Sequence, residues 1–411
     1  MTSGSSSAEI ATRSHDLGPA ALDFRQLAER ANTMIPMLRE GEPAAERNRC
    51  LAPETIAELK RAGLFRVLQP VRYGGMGGNI ADFIAVAHEV ARGSACAGWI
   101  YGNVALHSWI IGMFPKQAQD EIWVDQDTIT SSCLRPTGAT TPVSGGYQLQ
   151  GRWPYVSGCD HTQWTVLGLL LQTSEGKKQP GYALVPRRDY AIVDEWHVSG
   201  LAGTGSKDLA IEDAFVPEHR VLTAAQVNSK SPPGLAVHDH PIYRIPLFSS
   251  FSFFIAAPVV GMARGAVDQY VAYVKTRQTA GGATGGGEVM AGLAAVQMRV
   301  GEAEMRLDAA LAVLLQTANE TTVAAKSAAG VDLAQRIRNR RAQSFAARLA
   351  SEAIDSLYDA TGATGIFLQD PVQRTWRDVH AGTKHFSLNW DAIRAMCGQF
   401  SLGLQPSPAM Y

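Results

Sequence analysis

The chain has 411 residues, 46% of them hydrophobic and 18% charged, with a formal net charge of −1. This is the composition of a globular protein with room for two or three packed units, and the near-neutral balance offers no basic field to nucleic acid. Five cysteines, Cys50, Cys96, Cys133, Cys159 and Cys397, stand far apart with no C-x-x-C pair, which argues against a zinc site or a disulfide framework and for a reducing, cytoplasmic setting.

Residues 1–19 open with the polar stretch "MTSGSSSAEIATRSHDLG", which has no apolar core and is expected to be a disordered tail, not a signal peptide. Residues 20–127 read as an N-terminal helical domain. "APETIAELKRAGLF" places Pro53 in a first turn and carries Ile56, Leu59 and Leu64 at gaps of three to five residues. "NIADFIAVAHEVAR" and "CAGWIYGNVALHSWIIGMF" continue the helical pattern after the glycine-rich turn "PVRYGGMGGN".

The texture changes at Thr128. Over 128–235, "TITSSCL", "SGGYQLQGRWPYVSG", "TQWTVLGLLLQ", "SEGKKQPGYALVP", "YAIVDEWHV" and "DLAIEDAFVP" are short runs rich in Val, Ile, Thr, Tyr and Trp, as in a β-sandwich or barrel. Over 236–411 the helical texture returns. Val300, Ala303, Leu307, Leu311 and Leu314 make one expected stripe; Phe345, Leu349, Ala353 and Leu357 make another. "TAGGATGGGEVMAG" and "DATGATGIFLQDP" break the helices, leaving four long ones, enough for a bundle. The run "SSFSFFIAAPVVGMARG" reads as a buried helix, too short and interrupted for a bilayer. The fold class is thus α+β and multidomain: helices, a β-sandwich or barrel, and a four-helix bundle, with no internal repeat.

Three glycines in "WHVSGLAGTGSKDLAIEDAFVPEHR" raise the question of a phosphate cradle. A dinucleotide fingerprint needs a helix after its glycines, but "DLAIEDAFVP" alternates as a strand, with Leu209, Ile211 and, after a slip, Phe215 as its apolar residues. Ser206 precedes Lys207, which is the wrong order for a P-loop. The expected role is a tight turn between strands that leaves space for a flat ligand. The glycine runs at 74–78 and 281–287 have no lysine in place and read as flexible turns.

"LQPVRYGGMGG", "GLAGTGSKDLAIEDAFVPEHRV" and the helical C-terminal part together resemble the acyl-CoA dehydrogenase fold. More narrowly, "QAQDEIW", "TSSCLRP", "VSGCDHTQW", "VPRRDYAIVDEW", "TWRDVHAGTKH" and "GLQPSPAM" resemble the oxygenase components of two-component flavin-dependent monooxygenases, of the 4-hydroxyphenylacetate and phenolic secosteroid hydroxylase type. The likeness spans nearly all of the chain past residue 25. It implies a homotetramer that takes reduced flavin (FMNH2 or FADH2) from a separate NAD(P)H-dependent reductase. With O2 as co-substrate it forms a C4a-hydroperoxyflavin and hydroxylates a small aromatic, phenolic substrate at the ortho position. Oxygenation of indole or of a ring heteroatom, and dehydrogenation of an acyl-CoA, are the alternatives. Dehydrogenases commonly take their base from a Glu-Gly-Thr motif; here Ala381 precedes Gly382 and Thr383, and no Asp or Glu lies between Asp378 and Asp391.

The resemblance also implies site residues. His107 reads from pattern alone as a core histidine, whereas its family counterpart contacts the substrate phenol; Ser132 matches a serine on the same oxygen. Ser157 matches a serine near flavin N5, and His385 a histidine beside the flavin, with His380 the alternative if the register differs. Arg277 ends a helix and matches a flavin-phosphate ligand. Trp99, Cys133, Val156, Ala363, Thr364 and Phe386 complete the expected flavin contacts. Tyr155-Val156 replaces the relatives' Trp-Ser and "IYRIPLFSS" also departs from the pattern, so FMN and FAD both stay open. Cys159 and His161 lie close together without further ligands, so no metal is expected.

Overall fold

The computed structural model describes residues 24–172, 176–279 and 287–407. The expected tail at 1–19 and nearly all of the 281–287 glycine run lie outside them.

Among the described residues six helices come first: α1 (Phe24–Thr33), α2 (Ile35–Asn48), α3 (Pro53–Arg61), α4 (Ile80–Gly93), α5 (Ala95–Ile111) and α6 (Lys116–Ile122). Pro53 opens α3, where a missing N–H costs nothing. Asn79 and Asp82 form a reciprocal capping box at the start of α4. In α5 all residues but Asn103 and Ser108 are buried, so it is a central helix, apolar on every side. Glycines let its neighbours approach: a Cβ at Gly98 would lie 2.3 Å from Ala91, and one at Gly102 would lie 2.4 Å from the Phe254 carbonyl oxygen.

Seven strands follow among the described residues: β1 (Thr130–Val143), β2 (Gly146–Val156), β3 (Trp164–Gln172), β4 (Lys178–Pro186), β5 (Ala191–Val193), β6 (Lys207–Pro217) and β7 (Val221–Thr223). They form one sheet in the order β5-β6-β2-β1-β3-β4-β7, antiparallel except for the β1–β3 pair. Three strands separate β4 from β6 in that order. Even so, Ala183 and Val185 of β4 share a core with Leu209, Ile211 and Val216 of β6, so the sheet curls around its own interior. On its other face Val166, Tyr182 and Leu184 join the helical core. The start of β1 lies against α5 and frames the site below.

After α7 (Ala224–Val227) and α8 (Leu247–Ser250) come α9 (Phe253–Thr276), α10 (Ala294–Lys326), α11 (Leu333–Asp359), α12 (Pro371–Thr383) and α13 (Trp390–Ser401). The apolar run is longer than its sequence indicates. Residues 247–276 form the one segment, among those described, long and apolar enough to cross a membrane, yet 89% of its most apolar window is buried inside the protein. The helical domain and the bundle are also joined by charge. Glu46 on α2 accepts from Arg374 Nε (2.7 Å) and Arg377 Nη2 (2.5 Å) on α12.

Three sequence expectations need correction. In β6 the inward residues are Leu209, Ile211, Ala214 and Val216, while Phe215 is exposed. The cause is a bulge against β2: Gly151 pairs with Ile211 but Leu149 pairs with Ala214, so β6 carries one extra residue. In α11 Phe345 faces outward beside Trp390, because the buried face is built from Ala346, Ala350, Ala353 and Leu357, with Asn339 and Gln343 among its polar members. Nor do the glycines of the 200–205 turn leave room for a ligand. A Cβ at Gly200 would sit 2.4 Å from the Arg377 carbonyl oxygen, and one at Gly203 would sit 2.9 Å from Ala45, so these glycines let the turn press against α12 and α2. Only Gly205, at φ 52°, answers to backbone conformation.

Candidate active site

Four segments meet beside α5: the start of β1, the end of β2, the 200–206 turn and the chain that follows α12. α5 contributes Trp99 and His107, both buried.

The Trp99 indole N–H donates to Ser157 Oγ at 3.1 Å. Ser157 lies just past the end of β2, and its Oγ is 2.8 Å from Ser206 Oγ. Ser206 Oγ is 2.7 Å from Thr204 Oγ1, which donates to the Leu201 carbonyl at 2.7 Å. The Trp99 ring meets the His385 ring edge-on, with centroids 6.2 Å apart. Gly382 permits this approach, since a Cβ there would be 3.0 Å from the indole. Trp99, Ser157 and His385 are therefore brought together from three distant parts of the chain.

His385 Nδ1 accepts from the Ser387 backbone N–H at 3.3 Å, so the proton of the neutral ring is on Nε2. Burial first, and then the Arg340 charge, lowers this imidazole to about 4. The side chain is only partly covered, and water screens some of that effect. Phe251 and the exposed Phe386 flank it at centroid distances of 6.1 and 4.7 Å.

His107 differs. It is 1% exposed, and its Nδ1 lies 2.5 Å from the Thr130 carbonyl. A carbonyl only accepts, so Nδ1 carries the proton and Nε2 presents a lone pair. That Nε2 is buried with no hydrogen-bond partner among the described residues. Burial lowers the imidazole to about 4, so it is neutral at pH 7. Ser132 pairs in register with Val166, whose side chain belongs to the helical core; Ser132, half-buried, shares the β1 face that Thr130 turns to α5.

The other expected contacts are placed differently. Cys133 and Val156 turn their side chains into the interior of the sheet, and burial raises the Cys133 thiol, so only their backbones are left to meet a ligand. Arg277 is exposed at the end of α9. One turn earlier, the Tyr273 hydroxyl lies 3.4 Å from Thr364 Oγ1, which joins that helix end to the 362–366 turn holding the exposed Ala363. Arg277, Ala363 and Thr364 thus make a surface group of their own. His380 turns away, its Nε2 2.7 Å from Asp355 Oδ1 on α11. Cys159 lies in the sheet interior, and His161 Nε2 is 3.5 Å from Cys50 Sγ.

The acids that bracket the segment after α12 are both engaged elsewhere. Asp391 pairs with Arg394 at the surface. Asp378 Oδ1 accepts from the Leu201 N–H at 2.5 Å, within a buried group that also holds Glu42 and Cys96. Burial, and next the Glu42 charge, raises Asp378 to about 7; burial raises Glu42 as well.

Sequence reasoning passed over Thr204 and Ser206, which it read as part of a glycine turn, and Thr130, whose carbonyl sets the His107 tautomer. Two hydroxyls beside glycines ahead of a strand were the available signal. The group around Trp99 suits a flat heteroaromatic ring, with an indole wall, a hydroxyl and an imidazole N–H donor, and His107 adds an imidazole acceptor about two turns further along α5.

The chain matches the family models for the N-terminal domain (residues 24–126) and the C-terminal domain (residues 253–390) of acyl-CoA dehydrogenases. It is 36% identical to the oxygenase component of the FADH2-dependent resorcinol hydroxylase of Rhizobium sp. strain MTP-10005, over 93% of this chain and 95% of that one. It is 34% identical to the flavin-dependent monooxygenase oxygenase subunit HsaA of Mycobacterium tuberculosis strain H37Rv, over 94% and 98% of the two chains. The crystal structure of 3-HSA hydroxylase from Rhodococcus sp. RHA1 superposes with a TM-score of 0.87 at 33% identity, covering 95% of this chain and all of that one.

Proposed function

We propose a function from one premise: this chain belongs to the oxygenase components of flavin-dependent monooxygenases, built on the acyl-CoA dehydrogenase fold. The reaction is hydroxylation of a phenol ortho to its hydroxyl group. Reduced flavin, when bound, supplies two electrons to O2, so that one oxygen atom enters the ring and the other leaves as water. FADH2, which the Rhizobium relative is named for, is the first choice. A separate flavin reductase delivers it, with NAD(P)H as the proposed electron source.

The observation that carries this reading is His107 Nε2, a buried acceptor without a donor among the described residues. Leaving such an atom unpaired costs about 1–3 kcal/mol, a cost that a ligand O–H removes. With Nδ1–H held by Thr130, the ring accepts a phenolic proton at Nε2. At about 4 it is a weak base, so it accepts a hydrogen bond first and takes the proton as the ring oxygen sheds electron density. That withdrawal activates the ortho carbon. The Ser132 hydroxyl is the proposed second partner of the phenol oxygen.

The flavin would be held by Trp99 as a wall, Ser157 at N5, His385 Nε2–H as a donor to the ring edge, and Arg277 with the 362–366 turn toward the phosphate. The Cys133 and Val156 backbones and the Phe386 ring complete the walls and exclude water. We also expect a homotetramer, in keeping with the exposed Ile366, Phe367, Leu368 and Phe386, which suit burial against another copy.

The test mixes protein carrying FADH2 or FMNH2, prepared without oxygen, with oxygenated buffer and a panel of phenols. The expected outcome is an ortho-dihydroxy product and flavin oxidation slower than in free solution. Oxidation at the free-solution rate with no hydroxylated product overturns the proposal.

A further inference from the structure

Thr204 and Ser206, in the turn that first raised the phosphate question, have no part in the account above. We propose that they are positioning residues: their hydroxyls take up the Ser157 proton, so that Ser157 can only accept from a ligand, which makes the site select reduced over oxidised flavin. The inference rests on the reading that puts Ser157 at flavin N5.

The argument is one of proton direction. An indole N–H only donates and a carbonyl oxygen only accepts. Between the Trp99 indole and the Leu201 carbonyl stand three hydroxyls, with successive separations of 3.1, 2.8, 2.7 and 2.7 Å. The last contact is a hydrogen bond only if Thr204 gives its proton to Leu201. Ser206 must then donate to Thr204, and Ser157 to Ser206. The opposite order would face two lone pairs across 2.7 Å where water has little access, since Ser157, Ser206 and Thr204 are only 6%, 3% and 1% exposed.

Each hydroxyl proton is thus committed. Ser157 accepts from Trp99, donates to Ser206 and keeps one lone pair. Reduced flavin carries a hydrogen on N5, whereas oxidised flavin presents a lone pair there. A serine held as an acceptor bonds the first and repels the second.

Thr204→Val tests this with little change of shape. The Leu201 carbonyl keeps two other donors, the Thr204 backbone N–H and the Trp196 indole N–H, each at 3.1 Å, so no acceptor is orphaned. Ser206 then turns its proton toward Ser157, and the Ser157 proton is released toward the ligand. Ser206→Ala frees the same proton from another position. The readout is the ratio of dissociation constants for oxidised and reduced FAD, titrated without oxygen, together with the midpoint potential of the bound flavin; neither needs turnover. The ratio is expected to fall about tenfold in both variants, a drop in potential of about 30 mV for a two-electron couple, with Thr204→Ser near the wild-type value. If Ser157→Ala shifts the ratio and Thr204→Val and Ser206→Ala do not, the relay is refuted while the placement of Ser157 stands. If Ser157→Ala also leaves the ratio unchanged, Ser157 does not face N5, and both that placement and the relay fall.

Discussion

Replacing His107 tests the core of the proposed chemistry. Nε2 is buried and lacks a donor among the described residues, and Nδ1–H is fixed on the Thr130 carbonyl. A phenol that gives Nε2 its hydrogen bond gains about 1–3 kcal/mol relative to leaving that atom unpaired, which is a factor of about 5–150 in affinity. His107→Ala should weaken phenol binding by that factor. The same variant should weaken a substrate analogue with hydrogen in place of the hydroxyl by less than about threefold, because the analogue never made the bond. The assay is anaerobic titration of both compounds into protein carrying reduced flavin, with a melting curve alongside to register the lost contact with Thr130. The acid limb of hydroxylation should lie near pH 4, not 6.5, because burial keeps the ring neutral down to about 4 and only the neutral ring accepts at Nε2. Equal weakening of phenol and analogue would refute the assignment and leave His107 a packing residue.

Two further predictions concern stability. Asp378 is raised to about 7 by burial and next by Glu42, so its contribution is complete below the unfolded value near 4 and is lost as pH rises through 7. Asp378→Asn keeps an acceptor for the Leu201 N–H and cannot ionise; its melting temperature should fall less between pH 5 and 8.5 than that of the wild type, and parallel curves would refute the reasoning. Gly200→Ala drives a Cβ to 2.4 Å from the Arg377 carbonyl oxygen and should cost about 1–3 kcal/mol in chemical denaturation. Gly41→Ala, in α2 with nothing within 4 Å, should instead gain about 0.5–1 kcal/mol; a gain at Gly200 as well would show that the close approach there does not matter.

Helix, sheet and bundle were legible in the sequence because each keeps its own hydrophobic period over many residues. Details that depend on pairing were not. Alternation marks β6 as a strand but cannot register the bulge that turns Phe215 out and Val216 in. Apolarity selects Phe345 for the α11 stripe, yet that helix packs closely through alanines, and the large ring is left outside. The parallel β1–β3 pair and the curl of the sheet are long-range facts with no local signature. At the site, Trp99 and Ser157 were named from resemblance, but their bond spans 58 positions, and Ser206 lies 49 beyond Ser157. Periodicity carries no trace of hydroxyls that meet only after the domains dock, so Thr204 and Ser206 passed for filler between glycines.

The charge tie between α2 and α12 bears on how the chain is made. Glu46 accepts from arginines 328 and 331 positions further on. A ribosome adding about 5–20 residues per second releases α1–α6 many seconds before α12 emerges. Through that interval the nascent helices hold Glu42 and Glu46 without Asp378, Arg374 or Arg377, so their acidic side waits unsealed. Closure of that acidic side therefore waits for α12, and a chain truncated before Pro371 would leave Glu46 without the two arginines that seal it.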